Sequence, residues 1–123
     1  MTDGVAEIGF DQRDGQTRLT HLYQRDPLRV LFPTPAANDP ALAVILTTSG
    51  GLVAGDRLEI AVRLASGTIA HVTAAAAEKV YRSMERTTEV AQALSIGPGA
   101  VLEFLPPETI LFDGARLRRE TVV

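Results

Sequence analysis

The residues best equipped for chemistry fall in two places. The first is Glu78-Lys79-Val80-Tyr81-Arg82-Ser83, in which a carboxylate, an ammonium, a phenol, a guanidinium and a hydroxyl crowd around one apolar side chain. Such a run suits the lining of a polar path or a recognition segment. As a solvated rim, its local ion pairs would contribute only about 0 to 1 kcal/mol each. The second place is Pro106 to Arg116, where Glu108, Asp113 and Arg116 bracket the apolar trio Ile110, Leu111 and Phe112. That trio fits a strand buried on both faces, or one whose face docks on a partner. Arg116, Arg118 and Arg119 form either a basic interaction edge or a solvated strand end. The carboxylates Asp56, Glu59, Glu78, Glu103, Glu108 and Asp113 are scattered, and solvated faces account for them singly. Oxygen ligands brought together can hold hard or borderline divalent ions transiently, so Asp56, Glu78 and Glu108 are the weak metal candidates.

Other chemistry is missing from the chain. His21 and His71 stand in separate strand patterns with no HxH or HExxH spacing, and a structural role suits both. There is no cysteine, hence no disulfide framework, thiolate site or cysteine nucleophile. Thr47-Thr48-Ser49-Gly50-Gly51 is not a GxSxG elbow. The glycine run that continues to Gly55-Asp56 is not a phosphate loop either, because it lacks Gly-Lys-Ser/Thr and opens a strand instead of a helix. A net charge of -3 over 123 residues disfavours a general nucleic-acid or anionic-membrane surface. No apolar stretch reaches transmembrane length, and no signal-peptide pattern opens the chain. A reducing cytoplasm fits these features. Eleven arginines against the single Lys79 point to base composition of the gene more than to function.

The elements that must position these residues read as short strands. Ala6–Asp11 and Arg18–Tyr23 flank Arg13-Asp14-Gly15-Gln16, and Asp-Gly between alternating segments predicts a hairpin. Pro27 precedes a strand at 28–32, and a proline-bounded loop from Pro33 to Pro40 turns at Asn38-Asp39-Pro40. Strands at 41–46 and 57–64 flank the glycine corner, where Gly50, Gly51 and Gly55 predict a structural bend closed by Asp56. Further strands are expected at 68–73, 90–96, 100–105, 109–112 and 116–123. Ala74–Arg82 has helical propensity, but its strand neighbours and the β-branched Val80 favour an extended segment. Ala65-Ser66-Gly67-Thr68 and Ile96-Gly97-Pro98-Gly99-Ala100 echo one another about thirty residues apart, a spacing that suits stacked coils. The expected fold is one mainly β domain of stacked sheets with β-helix-like topology and little helix. Glu120-Thr121-Val122-Val123 starts a strand with no closing turn, so an incomplete fold with an exposed edge is expected.

Five segments in order carry a resemblance: Gln24–Arg29, Thr47–Leu58, Ala77–Ser83, Leu102–Ile110 and Phe112–Arg116. Together they resemble the urease accessory protein UreD family, called UreH in some lineages. The family usually carries Gly, Trp and Gln where Ala54, Phe104 and Pro107 stand here. Its chains are longer, so the resemblance implies an N-terminal portion, a single UreD-like domain over 1–123. It implies a helix-poor stack of sheets and a non-enzymatic maturation factor. Such a factor binds apo-urease with UreF and the GTPase UreG, and nickel passes to the enzyme without being tightly held. Asp56, Glu78, Lys79, Tyr81, Arg82 and Ser83 would then line or brace an inner polar path, with Glu108, Asp113 and Arg116 as further polar or interaction candidates. Two other readings stand beside it: a generic β-rich binding module docking through Ile110–Phe112, and a small β-fold hydrolase, which would need a cleft with a poised base and nucleophile.

Overall fold

The computed structural model describes residues 2–123, which form eleven strands and no helix. They are β1 (Asp3–Arg13), β2 (Gln16–Arg25), β3 (Leu28–Leu31), β4 (Ala41–Thr47), β5 (Arg57–Leu64), β6 (Ile69–Ala74), β7 (Glu78–Val80), β8 (Thr88–Ile96), β9 (Val101–Phe104), β10 (Thr109–Leu111) and β11 (Leu117–Val122). The expected hairpin is β1–β2. Its two-residue turn holds Asp14 at φ 53° and Gly15 at φ 74°, the pair of positive values that matches the twist of the flanking strands. The proline-bounded loop turns one residue earlier than the sequence indicates, with the Asp39 N–H donating to Ala36 O and Asn38 at φ 70°.

From β5 onward the chain winds. The first sheet has the order β11-β8-β5-β1-β2, the second β3-β4-β6-β9, and the third β10-β7. The strands β5, β6 and β7 visit the three sheets in turn, β8, β9 and β10 repeat the circuit, and β11 opens another. Pairing between successive circuits is parallel, each residue opposite one 29 to 32 positions earlier. Parallel pairing needs a crossover of at least a dozen residues, and here a full coil supplies it. The anticipated echo is one corner of these coils. The Gly67 N–H and the Ser66 hydroxyl both donate to Pro98 O, at 3.0 and 2.9 Å, so the two corners stack directly.

The glycine corner bends at Thr48 to Gly51 and carries the chain from β4 in the second sheet, past the third, to β5 in the first. Leu52 serves as the third-sheet element of this earlier circuit, its N–H donating to Lys79 O and its C=O accepting from the Tyr81 N–H. A Cβ at Gly51 would lie 2.5 Å from the Tyr81 ring, and Gly55 sits at φ 79°. Gly50 is in open space, so no backbone constraint requires it. The segment 74–82 is extended, as expected, with a bend at Ala75-Ala76 before β7.

Inside the coils Ile8, Leu28, Leu52, Leu58, Val62, Leu64, Val72, Val80 and Val90 are buried almost completely. Each such side chain stabilises the fold by about 1.5 to 3 kcal/mol relative to exposure. Ile110, Leu111 and Phe112 were expected to be buried on both faces of a strand or docked on a partner. They are 42, 60 and 45% exposed, because β10 is the outermost strand of its sheet.

The stacked corners generate a test. A Cβ at Gly97 would meet Ser66 N at 2.8 Å and Leu64 O at 3.0 Å, backbone atoms that cannot step aside. Gly97→Ala is expected to lose about 1 to 3 kcal/mol in urea denaturation, while Gly50→Ala is expected to stay within about 0.5 kcal/mol of the parent. Equal effects at the two positions would contradict the stacked-corner geometry.

Candidate functional site: a polar interior at one end of the coils

Residues paired across parallel strands point to the same face, so the ladders identify what fills the coils. In the first sheet Leu58 stands beside Val90, and Val90 beside Arg119. Ile60 stands beside Gln92, and Gln92 beside Thr121. In the third sheet Glu78 pairs with Thr109 on the face that carries Val80. The interior is therefore apolar through β5 and turns polar at β8 and β11.

These polar side chains meet. Arg119 Nη2 donates to Glu78 Oε1 and Arg119 Nη1 to Thr109 Oγ1 at 3.2 Å, while Thr109 Oγ1 donates to the same Glu78 oxygen at 3.3 Å. The group joins β7, β10 and β11, tying the third sheet to the first. Alongside it, Thr121 Oγ1 donates to Gln92 Oε1 at 2.8 Å. The Glu78 and Arg119 side chains are 25 and 32% exposed, which is affordable because charges leaving water need a partner. Beside them lies a cavity of about 170 Å3, open to solvent, whose walls include Leu58, Ile60, Phe104 and Pro106.

Of the residues singled out from sequence, Glu78 and Arg119 belong to this group. Asp56 is 2% exposed and acts as a bracket, accepting from the Thr2 N–H at 2.7 Å and the Val53 N–H at 2.8 Å. Ser83 is buried and donates to Arg86 O. The Tyr81 hydroxyl donates to Gly50 O at 3.2 Å, and its ring packs edge-on against Phe112 with centroids 4.9 Å apart. Lys79, Arg82, Glu108, Asp113 and Arg116 are exposed. Glu108 contributes its backbone, its C=O accepting from the Glu78 N–H at 3.1 Å. Arg116 donates to Glu85 O at 3.3 Å. Asp56, Glu78 and Glu108 do not converge, and no group of three or more His, Asp or Glu side chains able to hold a metal occurs among the described residues. His21 and His71 lie apart, beside Glu7 and Glu103 respectively.

Sequence reasoning missed Gln92, Thr109 and Thr121, and it named Arg119 only as part of a basic edge or solvated strand end. The signal available was the repeat itself: laid over the preceding circuit, Gln92 and Arg119 fall on the inward columns of Ile60 and Val90. The partner of Glu78 is no neighbour in sequence: it sits forty-one residues on.

Two expectations follow. A double-mutant cycle of Glu78→Gln and Arg119→Met in urea denaturation is expected to give a coupling of about 1 kcal/mol; additive effects would dissolve the pair. Asp56→Ala strips acceptors from two backbone N–H groups and is expected to cost about 3 kcal/mol, with Asp56→Asn costing less. An unchanged denaturation midpoint for Asp56→Ala would remove the bracket.

Comparison with known proteins places this arrangement. Residues 2–123 match the family model described as UreD urease accessory protein. A urease accessory protein UreD from Magnetococcus marinus is 49% identical over 98% of this chain and 42% of its own length. One from Rhodopseudomonas palustris is 44% identical over 94% of this chain and 41% of its own. One from Methylobacterium sp. is 47% identical over 85% and 37%. The chain thus spans about two fifths of the length of the curated relatives it matches. Matched along nearly its whole described length, the chain belongs to the UreD urease accessory protein family.

Proposed function

We propose that the full-length protein is a maturation factor for urease. In this reading it binds the apoenzyme in the cytoplasm together with UreF and the GTPase UreG, and nickel travels through the assembly to the urease active site. The protein itself catalyses no reaction and carries nickel as cargo, without holding it tightly. Family membership supports the link to urease. Among the described residues no helix is long and apolar enough to cross a membrane, which is compatible with the reading.

The observation that carries the cargo part is the polar group inside the coils. The Glu78 carboxylate, the Thr109 hydroxyl and the Gln92 amide line the cavity beside Leu58, Ile60 and Phe104. Oxygen donors of this kind bind a borderline divalent ion weakly, which suits passage better than storage. Arg119 occupies Glu78 in the absence of cargo, removing the cost of an unpaired carboxylate. Asp56, Tyr81 and Ser83 brace the walls of the path. Lys79, Arg82, Glu108, Asp113 and Arg116, on the outside, are contact residues for the partner proteins.

Deletion of the full-length gene in a urease-producing host is the test. Urease is expected to accumulate with nickel reduced at least about tenfold by metal analysis, and tagged full-length protein is expected to retain urease subunits, UreF and UreG. Fully active, nickel-loaded urease in the deletion strain would overturn the maturation role. Retention of none of these partners would return the protein to a β-rich binding module of other specificity. Glu78→Ala with Arg119→Ala, in protein that still retains its partners, is expected to slow nickel loading; normal loading would remove the interior group from the path.

A further inference from the structure

The outer face of the third sheet carries side chains that the interior does not use. Glu78 and Val80 point into the coils with Thr109, so Lys79 and Ile110 point outward. Tyr81 and Phe112 follow them on that face, their N–H groups donating to Leu52 O and Val80 O. Two glycines fix the side chains at its centre. A Cβ at Gly51 would lie 2.5 Å from the Tyr81 ring, and one at Gly114 would lie 2.9 Å from Arg82 Cγ. The ring is held further by Phe112, edge-on at 4.9 Å between centroids, and by the bond to Gly50 O. Tyr81 and the exposed Arg82 are thus set in place before any partner arrives, which lowers the ordering cost of binding one.

Charge gives that partner its character. Arg25, Arg29, Arg57, Arg118 and Arg119 each pair with a carboxylate. Lys79 and Arg82 form no ion pair among the described residues, and Asp113, in the turn beside Phe112, neutralises neither. Two uncompensated cations therefore flank an aromatic pair on a chain whose net charge is -3.

We propose that this face docks an acidic segment of a partner protein, one in which carboxylates outnumber cations around an apolar side chain. The apolar side chain packs on Ile110 and Phe112, both exposed. The carboxylates take Lys79 and Arg82, and a guanidinium held in one place can bind a carboxylate through two parallel N–H donors. Tyrosine and arginine are also the side chains on which interface energy concentrates. A phosphate backbone or an anionic lipid surface calls for more cations over a wider area, and the net charge of the chain opposes both. The inference rests on the reading that exterior residues contact partner proteins, and adds where the contact is made and with what charge.

The experiment places p-benzoylphenylalanine at position 112 of the full-length protein in the urease-producing host, irradiates the cells, and sequences the joined peptide by mass spectrometry. One protein segment with an excess of carboxylates is expected. Lys79→Glu with Arg82→Glu is expected to lower the yield at least about tenfold, while Arg18→Glu, on the distant β2, leaves it within about twofold. Lys79→Gln with Arg82→Gln keeps the test intact if the reversal misfolds, with a loss of at least about threefold expected. No joined product, a segment without acidic excess, a yield that the reversal leaves unchanged, or capture of nucleic acid or lipid alone would overturn the proposal. The deletion strain tests the maturation role separately, so a failed crosslink in protein that still supports nickel loading removes the docking surface alone.

Discussion

Parallel backbone pairing at a step of 29 to 32 residues holds β5, β8 and β11 side by side, and likewise β6 with β9 and β7 with β10. Each circuit has too few strands to bury its own apolar face. Stacked on a neighbour, it shares one interior and satisfies its backbone N–H and C=O groups across the ladder. A slip of one residue in any strand would turn its inward column to solvent. The corners enforce the step. Ser66-Gly67 rests on Pro98, and Leu52 is held between Lys79 and Tyr81. Asp56 ties the glycine corner to Thr2, ahead of β1.

The register also explains how a polar group can exist inside the fold. The Glu78 and Arg119 side chains keep partial access to water, at 25 and 32% exposure, so pairing offsets only part of the cost of taking a charge out of solvent. The ladder sets Glu78 and Thr109 on one wall and Arg119 on another, facing across the coil, so the charges neutralise each other without a turn or loop to guide them. Pairing of this kind adds little stability of its own. Its value lies in keeping oxygen atoms beside the cavity in a form the protein tolerates.

What the sequence discloses follows from the range of each interaction. The Asp14-Gly15 hairpin, the strand at β5 and the corners at Gly67 and Gly99 are written in residues next to one another, and they are found where local pattern puts them. The extended course of 74–82 is legible because its neighbours override alanine's helical propensity. Assigning strands to three sheets is another matter, since partners stand about thirty positions apart and alternation says only that a strand has two faces. Gln92, Arg119 and Thr121 look like solvent-facing residues of ordinary strands until the ladder sets them in the columns of Ile60 and Val90. β7 ends at Val80, and beyond it Tyr81 packs on Gly51 and Phe112, Arg82 is exposed and Ser83 is buried on Arg86 O.

The same reasoning relates the exposed apolar surface to the polar interior. Leu111 and Phe104 are exposed for the reason that Arg119 and Thr121 are reachable by solvent: all four stand on edge strands, β9, β10 and β11. An interior that is apolar at one end and polar at the other cannot be read as a core that failed to fill, because Gln92 and Thr121 satisfy each other, as do Glu78, Thr109 and Arg119. Unsatisfied polar atoms would mark a defect, whereas a connected set marks a built lining.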